Sequence, residues 1–165
     1  MAKVILLCGK ICVGKTTYAR ELPRAGPAVY LHTDALMHSF YTGPCGEAYH
    51  AALAKAQTYL LGVAADIAAA GVDVLYEGAA WRRADRDNAT AFFQTRGIES
   101  QWHCVETGAE TQRALIEQRN RAVLAGESDA SYVDEALFRR CEANYEPPEP
   151  GEMDVTVNIF DGELK

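Results

Sequence analysis

Eight residues near the start of the chain, Gly9-Lys10-Ile11-Cys12-Val13-Gly14-Lys15-Thr16, fit the pattern G-x-x-x-x-G-K-[ST] without a mismatch. The chemistry of that pattern is the cradling of a phosphate chain. Its glycines permit backbone angles and a closeness of approach that a Cβ would block. Successive N–H groups then form an anion nest at a helix N-terminus, where the helix dipole also favours phosphate. Lys15 is the residue to reach β- and γ-phosphate oxygens, and Thr16 is the hydroxyl to sit on Mg²⁺. The nucleotide-binding set read from the loop is Gly9, Lys10, Ile11, Cys12, Val13, Gly14, Lys15, Thr16 and Thr17. Lys10 and Cys12 lie inside the loop without being required by the pattern.

Two carboxylates fall where an open α/β sheet places its ligands, beyond the carboxyl ends of strands. Asp34 follows the apolar run Ala28–His32, and Glu77 closes Val74-Leu75-Tyr76. Asp34 is suited to accept the proton of an attacking hydroxyl, to hold Mg²⁺ through water, or to cap the helix that follows. Glu77 either binds a water on Mg²⁺ or is tied to a nearby hydroxyl or arginine. Phosphoryl transfer gathers negative charge on the equatorial oxygens, so arginines must approach. Arg119 and Arg121 are the candidates, near the end of a helix that leads to Gly126. A lid over 119–132 would exclude water from the site. Arg113 reads better as a solvated partner of Glu117.

Arg82, Arg83 and Arg86 follow Trp81 and either touch an acceptor or solvate a helix N-terminus. Residues 35–81 contain no arginine and only Lys55, but hold His38, Tyr41, Tyr49, His50 and Trp81. That composition suits a neutral, polyhydroxylated or partly aromatic acceptor. His103 falls in a core strand and reads as structural.

Strands and helices must alternate to position these groups. Residues 3–8 are an unbroken apolar run, as in a strand buried on both faces. A helix runs from Lys15 to Leu22 and stops before Pro23. Ala28–His32 is the second strand. Residues 48–70 form a helix with Leu53, Leu60, Ala64 and Ile67 on one stripe and Gly71 as its stop. Strands follow at Asp73–Glu77, Gln101–Val105 and Val155–Phe160, with helices at 82–95, 109–124 and 131–145. This alternation predicts a mainly parallel sheet with helices on both faces, in one domain over residues 1–165.

Composition narrows the function classes. A 48% hydrophobic content in 165 residues is enough for a core and excludes a disordered chain. The formal charge of -7 disfavours a general nucleic-acid binder. Most of it comes from residues 141–165, where seven acids face Lys165 alone, so a local basic pocket remains compatible. Five cysteines, at 8, 12, 45, 104 and 141, include no Cys-x-x-Cys, which fits a reduced, cytoplasmic chain. Val4–Cys8 is too short for a signal segment. The longest apolar stretch, 48–70, carries His50, Lys55, Gln57 and Asp66, so no membrane span is expected.

These motifs resemble the small P-loop kinases of the "AAA domain, predicted kinase" group, with its zeta-toxin-like, chloramphenicol-phosphotransferase-like and polynucleotide-kinase-like members. The residues that carry the resemblance are Gly9–Thr17, Thr33-Asp34, Leu75–Arg86, Arg119-Asn120-Arg121 and Asn144–Met153. It implies a three-layer P-loop NTPase fold: a five-stranded parallel sheet in the order 2-3-1-4-5 with a small helical lid. It implies ATP (or ADP) as the phosphate donor; the Mg²⁺ set read from the loop and the strand ends is Thr16, Asp34 and Glu77. Asp34 would activate the acceptor hydroxyl, arginines near Arg119 would act from the lid, and Glu146–Pro150 would lie by the adenine. Many relatives carry Asp in place of Glu77, and an arginine where this chain reads Ala35-Leu36-Met37-His38.

The expectation is therefore an ATP- and Mg²⁺-dependent kinase of a small-molecule hydroxyl, with Lys15, Asp34, Arg119 and Arg121 catalytic. The alternatives are a polynucleotide 5′-hydroxyl kinase using Arg82, Arg83, Arg86 and Arg96, and a nucleotide-binding regulator or toxin-like effector with little turnover.

Overall fold

The computed structural model describes residues 2–22, 26–41, 46–78 and 80–159. Pro23, Cys45 and Phe160, expected as a helix stop, a free thiol and the last strand residue, lie outside the described residues.

The elements run β1 (Lys3–Cys8), α1 (Lys15–Glu21), β2 (Ala28–His32), α2 (Thr33–His38), α3 (Gly46–Ala69), β3 (Asp73–Glu77), α4 (Arg83–Gln94), β4 (Glu99–Glu106), α5 (Ala109–Leu124), α6 (Glu135–Asn144) and β5 (Val155–Asn158). The five strands form one sheet in the order β2-β3-β1-β4-β5, every pairing parallel. This is the order that the resemblance implies.

The unbroken apolar run of β1 follows from its central place. Val4, Leu6 and Cys8 face a core shared with α3 and α4, while Ile5 and Leu7 face one shared with α1. On α3 the buried residues are Tyr49, Leu60, Ala64, Ala65 and Ala68. The stripe is therefore shifted from the expected one: Leu53 and Ile67 are only half-buried. Small Ala64, Ala65 and Ala68 let the helix lie close on the sheet.

Two helices differ from expectation. Residues 33–38 already form α2, directly after β2. At the other end, 131–134 is not helical, and α6 begins after Asp134, whose carboxylate caps it by accepting from the Leu137 N–H at 2.7 Å. Asn120 holds the stretch before that cap, exchanging two hydrogen bonds of 2.8 Å with the Val133 backbone. The segment 119–132 thus comprises the last turns of α5 and a non-helical connection.

Arg86 is the largest fully buried side chain, 1% exposed. It pairs with Glu152 through Nε at 2.5 Å and Nη2 at 3.2 Å, and donates to the Glu146 carbonyl at 3.0 Å. It fastens the 146–152 segment to the start of α4, which settles its role as structural. Removing one partner of a buried pair leaves the other uncompensated. Arg86→Ala is expected to cost about 3–5 kcal/mol of stability, read by chemical denaturation. The Arg86 hydrogen bonds hold the Glu152 carboxyl below its ordinary range, against the opposing effect of burial. The pair's contribution is thus fully present above that range and is lost as pH falls below it.

Candidate functional site

The phosphate loop owes its shape to residues 9–14. Gly9 has φ +142, and a Cβ there would meet the Val105 carbonyl oxygen at 2.4 Å. Cys12 has φ 55 and Gly14 φ 93, so the chain turns left-handed twice before α1 opens. Val13 anchors the loop in the core at 2% exposure. The buried Gln112 of α5 donates to the Ile11 carbonyl at 2.7 Å. Gly9→Ala is expected to lower ATP affinity about tenfold or more by displacing the loop, measured by calorimetric titration.

Lys15 Nζ lies over the loop, donating to the carbonyls of Lys10 at 2.6 Å and Gly9 at 3.1 Å. Lys10 points elsewhere: its ammonium pairs with Glu142 on α6 at 2.6 Å and sits over the Tyr145 ring. The loop and α6 are thereby joined. Thr17 is exposed on α1.

Thr16 and Glu77 meet. The Thr16 hydroxyl donates to Glu77 Oε2 at 3.0 Å, and the Tyr30 hydroxyl donates to the same oxygen. Burial, joined by the Glu77 charge, pushes the Tyr30 phenol up, so it stays protonated and remains a donor. His32 Nε2 stands 3.8 Å from Glu77 and 3.9 Å from Asp34. The hydroxyl-tied reading of Glu77 is therefore realised, through Thr16 and Tyr30.

Asp34 does not cap α2. The cap is His32, without a side-chain hydrogen bond, and Asp34 occupies the first turn with its side chain 57% exposed. Its carboxylate lines a cleft of about 1020 Å³ together with Ile11 to Thr16, Glu77 and Arg119. Arg119 spans the cleft wall: Nε donates to the Ser131 carbonyl at 3.0 Å and Nη1 to Cys12 Sγ at 3.4 Å. His38, one turn beyond Asp34, meets the Ser131 hydroxyl at 3.3 Å. The connection from α5 to α6 is thus tied to both sides of the cleft.

Not every expected residue converges. Arg121 is exposed and does not line the cleft, and neither does Glu146–Pro150. Arg83 pairs with Glu149 at 2.7 Å on the surface. His103 is buried in β4, bonded to the Tyr18 hydroxyl at 2.8 Å. Burial, with the Lys3 charge, lowers its pKa and keeps it neutral. Of the three arginines after Trp81, Arg82 lines the cleft, and so do Arg20, His32 and Arg140, which the sequence reading does not mark as site residues. His32 carried a signal, since it ends a strand two residues before Asp34. Arg140 carried none, because its place depends on where α6 begins.

The oxygen donors suit Mg²⁺. No group of three or more His, Cys, Asp or Glu fit to hold a metal occurs among the described residues. Mg²⁺ needs none, since it commonly takes one or two protein oxygens plus phosphates and waters. No helix among the described residues is long and apolar enough to cross a membrane.

No curated protein matches the chain. Among solved structures, Kti12 from Chaetomium thermophilum in complex with ADP-AlF3 is similar at TM-score 0.71 and 19% identity, covering 97% of this chain and 91% of that one. The Mycobacterium tuberculosis APS kinase CysC, in complex with AMPPNP and APS, is similar at TM-score 0.66 and 18% identity, covering 98% and 90%. A gluconokinase from Sinorhizobium meliloti is similar at TM-score 0.60 and 15% identity, covering 97% and 84%. At these identities the likeness shows the fold, and it is the fold of P-loop kinases. A family model described as "AAA domain" matches residues 4–148, spanning the phosphate loop, Asp34, Glu77 and Arg119. With its nucleotide-type loop and its kinase-type sheet order, the chain belongs to this AAA domain family of P-loop proteins.

Proposed function

We propose that the chain is an ATP- and Mg²⁺-dependent phosphotransferase that moves the γ-phosphate to a hydroxyl of a small molecule. The observation that supports this most is the shared cleft. Asp34, an exposed carboxylate, lines the same space as Lys15, Thr16 and Arg119. In the transfer, the acceptor hydroxyl oxygen attacks the γ-phosphorus, the bond from that phosphorus to the β–γ bridging oxygen breaks, and ADP leaves. Asp34 takes the hydroxyl proton. Lys15 neutralises β- and γ-phosphate oxygens, and Arg119 meets charge on the transferring group. Mg²⁺, when bound, neutralises charge on the β- and γ-phosphate oxygens, and Thr16 with Glu77 would hold it.

The polynucleotide alternative loses half of its basic material: Arg86 is buried on Glu152, and Arg83 is paired with Glu149. The proposal is tested by product balance. ADP and a phosphorylated acceptor are expected in equal amounts. Inorganic phosphate as the main product, or no ADP with any acceptor, would refute it.

A further inference from the structure

Arg82-Arg83 and Arg139-Arg140 are adjacent pairs on two different elements, and each pair divides the same way. The outward member is neutralised by a carboxylate: Arg83 by Glu149 at 2.7 Å, Arg139 by Glu135 at 2.7 Å. The other member lines the cleft, and among the described residues neither Arg82 nor Arg140 forms an ion pair with a carboxylate. Asn144 joins the two. Its Oδ1 accepts from Arg82 Nη2 at 2.8 Å, and its Nδ2 donates to the Arg140 carbonyl at 2.8 Å. Arg140 and Asn144 are four residues apart on α6, so they share one face with Cβ atoms about 5–6 Å apart. The Arg82 guanidinium is thereby held at the α6 face that carries Arg140.

An amide oxygen does not compensate a guanidinium charge. Asp85 also lines the cleft, but its Oδ2 accepts the Arg82 backbone N–H at the start of α4, at 3.3 Å. Two guanidinium forks with spare donors lining one cleft match the oxygens of a carboxylate or phosphate. We propose that the acceptor is an anionic hydroxyl compound, whose carboxylate or phosphate group is bound by Arg82 and Arg140 in the cleft that Asp34 lines. This rests on the phosphotransferase reading and replaces the neutral acceptor expected from residues 35–81. That stretch lacks arginines because the cations come from α4's start and from α6.

The test separates the two claims. An ultrafiltered metabolite extract is passed over an anion-exchange resin, and the unretained and salt-eluted pools are each supplied with γ-labelled ATP and the full chain. Labelled product is expected from the retained pool alone. Arg82→Gln and Arg140→Gln are expected to raise the acceptor KM about tenfold or more each, with the ATP KM unchanged. Both side chains are exposed, so the variants should fold, which a melting curve checks. Phosphatase treatment of the retained pool then distinguishes the sources: a phosphate-bearing acceptor is lost and a carboxylate survives. Transfer to a compound in the unretained pool overturns the anionic acceptor and leaves the phosphotransferase standing. Retained-pool transfer that neither variant alters also overturns it. Transfer from neither pool removes the phosphotransferase reading, and this inference with it.

Discussion

Asp34→Asn is expected to lower kcat for phosphoryl transfer by about 10²–10⁴-fold. Asparagine keeps the size and hydrogen-bonding oxygen of aspartate but does not take up a proton. The side chain is 57% exposed and makes no hydrogen bond among the described residues, so little stability should change. Nucleotide affinity should also persist, because the phosphate loop is built without Asp34. It is shaped by Gly9, Cys12 and Gly14 and fixed by Val13 and Gln112. Stopped-time transfer assays with a parallel ATP titration separate the two effects. An unaltered kcat would remove Asp34 from the role of base.

Lys15→Ala is expected to cost about 10²–10³-fold in kcat and to weaken ATP binding as well. The ammonium is the only lysine charge lining the cleft among the described residues, since Lys10 is engaged by Glu142. Its two hydrogen bonds to the Gly9 and Lys10 carbonyls show that it also steadies the loop. The variant therefore needs a melting curve beside its kinetics. A drop in turnover with an unchanged melting temperature assigns the loss to phosphate neutralisation. Full activity would contradict the whole site.

Much of this arrangement was legible in the residues. The phosphate loop is local: eight consecutive positions dictate its backbone and its charges. The strands β1 and β3 showed as apolar runs because both faces are covered, and β2, a half-buried edge strand, showed as one as well; Asp34 and Glu77 follow from where those runs end. The strand order came with the resemblance, because parallel strands carry no local mark of their neighbours.

What escaped depends on long-range placement. Arg82, Arg83 and Arg86 look alike in sequence. Only the partners at Asn144, Glu149 and Glu152, over sixty residues away, separate a cleft residue from a surface pair and a buried clamp. Arg119 and Arg121 are likewise two residues apart on α5, which turns them to different sides, and one of them reaches Cys12. The start of α6 lies after Asp134 and not at 131 because Asn120 takes up both backbone groups of Val133, a contact across thirteen positions. Asp134 as an N-cap was the available signal for the true boundary.

The most direct measurement follows the γ-phosphate itself. Wild-type chain and Asp34→Asn are incubated with γ-labelled ATP, Mg²⁺ and a fractionated metabolite extract, and the label is traced by chromatography. The account predicts a labelled small-molecule phosphomonoester in the wild-type reaction that is lost with Asp34→Asn, while both proteins bind ATP. Label that stays on ATP, or leaves only as inorganic phosphate, would contradict it.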